Sequence, residues 1–378
     1  MITYTFMNKN VELFDIEMDR GQVESIFNVR VENRHLLPVF LLPKKNMGIS
    51  KRDFNDWWRG RRIPASRTGI KELLWKLDGL DLDELAEKSL GLSLSDQYWI
   101  RPEDDIKWKD VNFFENDFSE DIGKLLISGE WNNGDLKSPD NTSDGVVKKR
   151  WKIINGERCL VKGSFGPPWY TQPFREVFAA QIAELLLQPY EKGYVVPYTL
   201  IWEDDIVYSV CPNFITTDTE YISFNQINNT YKKSNNMSSY EFCKHIYHLD
   251  KYVLDLMLIL DFIVLNEDRH YGNFGFIRDT NTGEFLRAAP IFDTGSSLFY
   301  DSTHCNTTRI ESKPFSTNFK KQLSLVDCNS YKDSILLVKD NYKDIFNNVF
   351  AKSSEDQQRK EKLLRAVGEQ IDLVFNER

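Results

Sequence analysis

The sequence predicts an α+β protein of two or three lobes, with paired strands in its first half and mainly helices towards its C-terminus. Three observations predict this. The chain has 378 residues, more than one core usually organises. Alternating apolar and polar runs flank turn-forming dipeptides in the first half and again near residue 280. The segment from Tyr252 to Leu265 is apolar nearly all round and reads as a buried helix.

Composition narrows the classes. Hydrophobic residues make up 41% and aromatics 13%, enough for a sizeable core. A formal charge of -9 argues against a general nucleic-acid binder, which is normally basic. The cysteines at 159, 211, 243, 305 and 328 are odd in number and none form a CxxC pair. They imply a reducing compartment without a disulfide framework or structural zinc. The N-terminus has no charged segment followed by an apolar run, and the apolar stretches are broken by Asp or Pro short of a membrane span. A cytoplasmic protein is expected.

Residues 1 to about 45 alternate and contain Gly21, predicting a hairpin or small sheet. Ser50 can cap a helix carrying Phe54, Trp57 and Trp58, and Ser66 a second carrying Ile70, Leu73, Leu74 and Leu77. After an acidic stretch and a short apolar segment, a boundary is placed near residue 125. Residues 137–145 read as a loop of turn-forming residues. Asn155-Gly156 between two apolar runs predicts a β-hairpin with a type I′ turn, ended by Lys162. A helix over 174–187 and a second hairpin about Glu203-Asp204-Asp205 follow. The chain beyond about Tyr331 is helical and amphipathic. The division expected is 1–125, 126–214 and 215–378.

Chemistry concentrates behind the buried helix. Asn266-Glu267-Asp268-Arg269-His270-Tyr271-Gly272-Asn273 forms a polar loop there, and a hairpin then leads to Phe292-Asp293-Thr294-Gly295. Phosphoryl transfer needs a carboxylate beside the attacking hydroxyl and hard oxygen ligands for the magnesium on the phosphates. Asp268 suits the first role, and Asn273 and Asp293 the second. An Asp followed five residues later by Asn, then Asp-x-Gly after a hairpin, is the order that kinases use. Lys162 stands where a lysine grips the α- and β-phosphates, and Glu176 on the next helix is its expected partner. Cys211-Pro212-Asn213-Phe214 occupies the place of an adenine-binding hinge. Pro212 has no N–H, so Asn213 or a neighbour would donate. His270 reads as a structural hydrogen-bonder and Arg269 as an organiser of the loop or a phosphate partner. The basic run Arg59-Gly60-Arg61-Arg62 with Arg67 and Lys71 reads as a solvated face.

Leu265–Gly275, together with Ala289-Pro290-Ile291-Phe292-Asp293-Thr294-Gly295, resembles the HipA-like serine/threonine kinases. The resemblance extends more weakly over about 137–330. It implies a bilobal, protein-kinase-like fold related to the phosphoinositide-kinase class, with a mainly helical second lobe, ATP and magnesium as cofactors, and a protein acceptor. Asp268 would be the proton acceptor, Asn273 and Asp293 the magnesium ligands, and Lys162 the phosphate lysine. ATP would also meet Glu176, Cys211, Asn213, His270, and Asp144 and Gly145 of a phosphate loop at Ser138–Gly145. Members can autophosphorylate a serine in that loop; Ser138, Thr142 and Ser143 are the equivalents here. A translation protein such as a tRNA synthetase as substrate, and an antitoxin partner, are further implications. The first 120 or so residues differ from the usual N-terminal subdomain, indicating a divergent bacterial branch, and the phosphate loop is poor in glycine.

Two other readings compete. Asp268–Asn273 also resembles the catalytic loop of phosphoinositide lipid kinases, but Arg309, Lys313, Lys320 and Lys321 after Asp293 form only a modest basic set, which favours a protein substrate and no membrane. A nucleotide-binding regulator without turnover would normally lack one of the ionic residues, and all are present.

Overall fold

The computed structural model describes residues 1–42, 48–64, 70, 74–75, 81–102, 105–128, 138–142, 148–164, 171–247, 250–302, 304–307 and 310–376. Among these residues lie three antiparallel sheets, two of them packed on helices of the second half.

Tight turns build the first sheet. Lys9 and Arg20-Gly21 adopt positive φ between β1 (Ile2–Asn8), β2 (Val11–Asp19) and β3 (Gln22–Phe27). A distant strand, β4 (Tyr98–Arg101), pairs with β1 and gives the order β3-β2-β1-β4. Helix α1 (Lys51–Arg61) begins at Ser50, whose hydroxyl accepts the Asp53 N–H. It delivers Phe54, Trp57 and Trp58 to a core with Phe6, Phe14 and Tyr98. Each aromatic withdrawn from water there contributes about 1.5–3 kcal/mol. Residues 31–41 depart from the expected strand pattern: Val31–Leu36 and Val39–Leu41 are 3₁₀ turns. Pro38 between them cannot donate to a ladder, and burying Leu36, Leu37 and Leu41 in the same core favours the turns.

Ser66, Arg67, Lys71, Leu73 and Leu77 lie outside the described residues. Helix α2 (Leu82–Lys88) starts with a reciprocal Asp81–Glu84 capping box. The boundary expected near residue 125 falls inside helix α3 (Asp121–Ser128), because Ile122 and Leu126 pack with Ile63, Leu82 and Leu85.

The second sheet, β5 (Lys149–Ile154), β6 (Glu157–Lys162), β7 (Thr199–Glu203) and β8 (Ile206–Pro212), has the order β5-β6-β8-β7. Both hairpins turn through two positive-φ residues, Asn155-Gly156 and Asp204-Asp205, as type I′ geometry demands. Helix α4 (Gln172–Leu187) joins them, with Pro173 preset in its first turn.

The main core contains α4, α5 (Phe224–Thr230), α6 (Ser239–Ile246), α7 (Lys251–Ile263), α8 (Lys332–Phe350) and α9 (Gln357–Asn376). Eleven consecutive residues of α7, Val253 to Ile263, are buried, as its nearly uniform apolar sequence requires. The third sheet, in the order β11-β10-β9, pairs the expected hairpin of β10 (Gly275–Asp279) and β11 (Phe285–Ala288) with an unanticipated strand, β9 (Thr219–Ser223).

Buried hydrogen bonds from Arg278, itself ion-paired with Glu220 inside the third sheet, join that sheet to the first sheet's subdomain. Arg278 donates to Glu220 Oε1 at 2.8 Å, to Leu37 O at 2.9 Å and to His35 O at 2.5 Å. Asn8 and Gln97 add amide bonds to Thr280 O, Thr216 O and Thr219 O. Burial pushes the Glu220 carboxyl up to about 7 despite the guanidinium. All five cysteines are free thiols. Among the described residues no helix is long and apolar enough to cross a membrane.

Arg278→Met should destabilise the fold by about 3–5 kcal/mol by leaving Glu220 buried without its cation. Arg278→Met with Glu220→Gln should recover part of that loss. Urea unfolding followed by tryptophan fluorescence measures both.

Candidate active site

Lys162, the last residue of β6, is buried at the end of the second sheet. Its ammonium donates to Glu176 Oε2 at 2.7 Å and Asp293 Oδ1 at 2.5 Å. Burial opposes its charge, but the two carboxylates outweigh that and raise its pKa above the ordinary value. Burial likewise pushes Asp293 up, and the Lys162 ammonium more than reverses it, leaving the carboxyl well below the usual range. The expected Lys162–Glu176 pair is therefore formed, and Asp293 is the third member.

Glu176 also binds the chain after Asp293. Its Oε1 accepts the Thr294 N–H at 2.7 Å and the Thr294 hydroxyl at 3.3 Å. Gly295 permits this approach: a Cβ there would lie 2.9 Å from Glu176 Oε2. Asp293 itself has a φ of 57°, which fixes the sharp turn out of Phe292.

The loop behind α7 is organised by Arg269, whose side chain has no exposure. Its Nε and Nη2 bind the Asp261 carboxylate at 2.9 and 3.0 Å, and its Nη1 binds Asn273 O at 2.9 Å and Phe292 O at 2.6 Å. One guanidinium thus ties the backbone at Asn273 to the backbone just before Asp293, the two expected metal ligands. Asn273 donates its amide N–H to Asp268 O at 3.1 Å, and its Oδ1 takes no part in that bond. An amide oxygen and a carboxylate strongly biased to its anion fit magnesium, a hard cation. Asp268 is half-exposed, and its Oδ1 accepts from Lys313 Nζ at 2.8 Å. His270 is exposed and shapes the turn, its Nδ1 accepting the Gly272 N–H at 3.0 Å.

Cys211, Asn213, Ser138 and Thr142 make other contacts. Cys211 is buried on β8 opposite Leu160, and burial pushes its thiol up to about 12. Asn213, expected as the hinge donor, gives its backbone N–H to Arg158 O at 2.7 Å and its side chain to Leu94 O at 2.9 Å. Its backbone donor is thus engaged in extending the β6–β8 pairing. Ser138 and Thr142 are buried rather than mobile. Ser138 precedes and Thr142 ends a 3₁₀ turn, Pro139–Thr142, in which Thr142 donates to Leu92 O at 2.7 Å and Asp140 accepts the Trp151 N–H at 2.9 Å. The expectation of a free loop overlooked these polar anchors. Ser143, Asp144, Gly145 and Arg309 lie outside the described residues.

The sequence reading missed one contact set. Arg175, beside Glu176 on α4, has no exposure and donates to Glu355 Oε1 at 2.7 Å and to Leu298 O at 3.2 and 3.1 Å. Glu355 precedes α9 and also accepts from Arg359, which reaches Phe299 O. The turn between α8 and α9 thereby fixes the start of the helix that carries Glu176. An arginine at the start of a mostly apolar helix was the available signal; its partner is too distant in sequence to be paired by spacing.

No protein-family model matches the chain. It is 32% identical over 139 residues to the serine/threonine-protein kinase CtkA of Helicobacter pylori, which covers 33% of this chain and 40% of that protein, so the match spans well under half of the relative's length. The crystal structure of the Helicobacter pylori proinflammatory kinase CtkA aligns over 62% of this chain and 91% of its own at 21% identity, with a TM-score of 0.46. HipA, from a Shewanella oneidensis toxin–antitoxin complex with HipB and operator DNA, aligns over 99% of this chain and 100% of its own at 11% identity, with a TM-score of 0.55. The chain therefore has the α+β, HipA-like kinase fold that its sequence resembles.

Glu355→Ala should cost about 3–5 kcal/mol, because it leaves Arg175 buried and unpaired. Amide exchange at the start of α4 should rise more than in β5 and β6, which do not touch this pair.

Proposed function

We propose that the chain is an ATP- and magnesium-dependent serine/threonine protein kinase of the HipA-like type. The observation that carries the reading is the Lys162 ammonium held between Glu176 and Asp293, with Asn273 and Asp268 on the adjoining loop. Structural ion pairs rarely gather these five residues in the order that phosphoryl transfer uses. The similarity to a serine/threonine kinase over part of the chain supports it.

In this reading Lys162 leaves Asp293 to hold the α- and β-phosphates while Glu176 keeps it in place. Asn273 Oδ1 and the Asp293 carboxylate hold magnesium, which neutralises phosphate charge when bound. Asp268 orients the acceptor hydroxyl and takes its proton. The segment about Cys211 lines the adenine side, and His270 keeps the loop's shape. Asp144 and Gly145 belong to the phosphate loop by resemblance. The acceptor is a protein, and a translation protein as substrate and an antitoxin as partner form part of the proposal. A lipid acceptor is less favoured, because the basic residues near Asp268 are few.

Autophosphorylation at Ser138, Thr142 or Ser143 belongs to the same proposal. At Ser138 or Thr142 a phosphate, with about -1.5 to -2 charges, has no room in the buried turn and would hold it undocked.

Asp268→Asn should keep the fold and nucleotide binding and lose on the order of a hundredfold or more in transfer; labelled ATP and a cell lysate test it. Asp293→Ala and Asn273→Ala should each weaken the magnesium dependence of ATP binding in calorimetry. Mass spectrometry after incubation with ATP should place phosphate within 138–145 in the active protein and not in Asp268→Asn.

A further inference from the structure

Lys313 is the cation that reaches Asp268, and it arrives on a braced segment. Gln322, itself buried, donates to Lys313 O at 2.6 Å and accepts from the backbone N–H groups of Phe315 and Ser316. Ser312, with no exposure, donates to Ser316 O and accepts nothing from the active-site loop, while its N–H bonds Thr317 O. The Phe315 ring packs on Tyr271 and Phe274, so the segment is fixed to the catalytic loop itself. The bond from Lys313 Nζ to Asp268 Oδ1 is the exposed end of this construction, with half of the lysine side chain in water. Exposed ion pairs add little to stability, and the segment is already secured without this one.

A cation so placed can stabilise charge that develops beside the carboxylate. Lys162 pairs with Glu176 and Asp293 rather than Asp268, Lys149 acts on Asp293, and Arg269 is held by Asp261 and two carbonyls. Among the described residues, Lys313 is left as the cation beside the atom to which the acceptor is delivered.

We propose that Lys313 is a catalytic residue of the phosphotransfer, placed by its ion pair with Asp268 to stabilise the transferring phosphoryl on the acceptor side. This rests on the kinase reading above. The pair holds Oδ1 and leaves Oδ2 for the acceptor proton. In the step, the acceptor oxygen bonds to the γ-phosphorus and the bond to the β–γ bridging oxygen breaks, its electron pair leaving with ADP. The hydroxyl proton passes to Asp268 Oδ2, and Lys313 keeps its protons while its charge faces the equatorial oxygens.

The test uses the full chain with magnesium and compares Lys313→Ala and Lys313→Arg with the wild type. Transfer from labelled ATP is followed both to the chain itself and to dephosphorylated casein. Binding of ADP alone, and of ADP with aluminium fluoride as a mimic of the transferring phosphoryl, is measured by calorimetry. Lys313→Ala should lose on the order of a hundredfold in transfer and bind the fluoride complex correspondingly less tightly. Its ADP affinity and melting temperature should stay those of the wild type, and Lys313→Arg should recover part of both losses. Transfer by Lys313→Ala within about twofold of wild type would overturn the assignment, as would an equal loss of ADP affinity or a lowered melting temperature with no recovery by arginine. A wild type that binds ADP but transfers phosphate to neither acceptor would instead overturn the kinase reading and this role with it.

Discussion

The arrangement of the second half depends on one buried ammonium. Lys162 has lost its water, so it must find anionic partners, and it finds them on two elements far apart in sequence. Glu176 arrives on α4 and Asp293 on the turn after the third sheet. Satisfying one charge therefore fixes a strand, a helix and a loop against one another. The same requirement recurs at Arg269, where a guanidinium without exposure draws α7, the loop behind it and the Phe292 carbonyl into one cluster. Directional bonds to charged groups give a geometry that apolar packing alone would leave loose.

The site was legible in the sequence wherever chemistry and local spacing coincide. Asp268, Asn273 and Asp293 follow a helix whose apolar character leaves no other placement, and Asn155-Gly156 specifies its own turn. The Lys162–Glu176 pair could be read because strand end and helix start are close in sequence. What escaped depended on distant partners. β9 is too short and too polar to announce itself, and it exists because β10 offers it an edge. Ser138 and Thr142 read as loop residues because nothing nearby in sequence anchors them; Leu92 O holds Thr142, and Asp140 between them takes the Trp151 N–H. Asn213 read as a free donor, but Arg158 O takes its N–H.

The N-terminal sheet bears on the site indirectly. Its contact with the third sheet runs through Arg278 on β10, the strand that follows Asn273 and leads by its hairpin to Asp293. The subdomain that differs most from the resembling family is thus joined to the same strand pair that separates Asn273 from Asp293. Sequence divergence there can alter how firmly that hairpin is held without touching a residue of the centre.

The tie between Arg175 and Glu355 has a consequence for the order in which the molecule comes into being. A ribosome releases the strands, the loop with Asp268 and the turn with Asp293 before it releases the turn between α8 and α9. Until Glu355 emerges, Arg175 has no carboxylate to justify its burial, and the start of α4 has no reason to settle in its final place. Glu176 is the next residue along. The nascent chain thus carries every polar group of the centre for some time while lacking the contact that seats one of them, so completion of the site waits for the turn between α8 and α9.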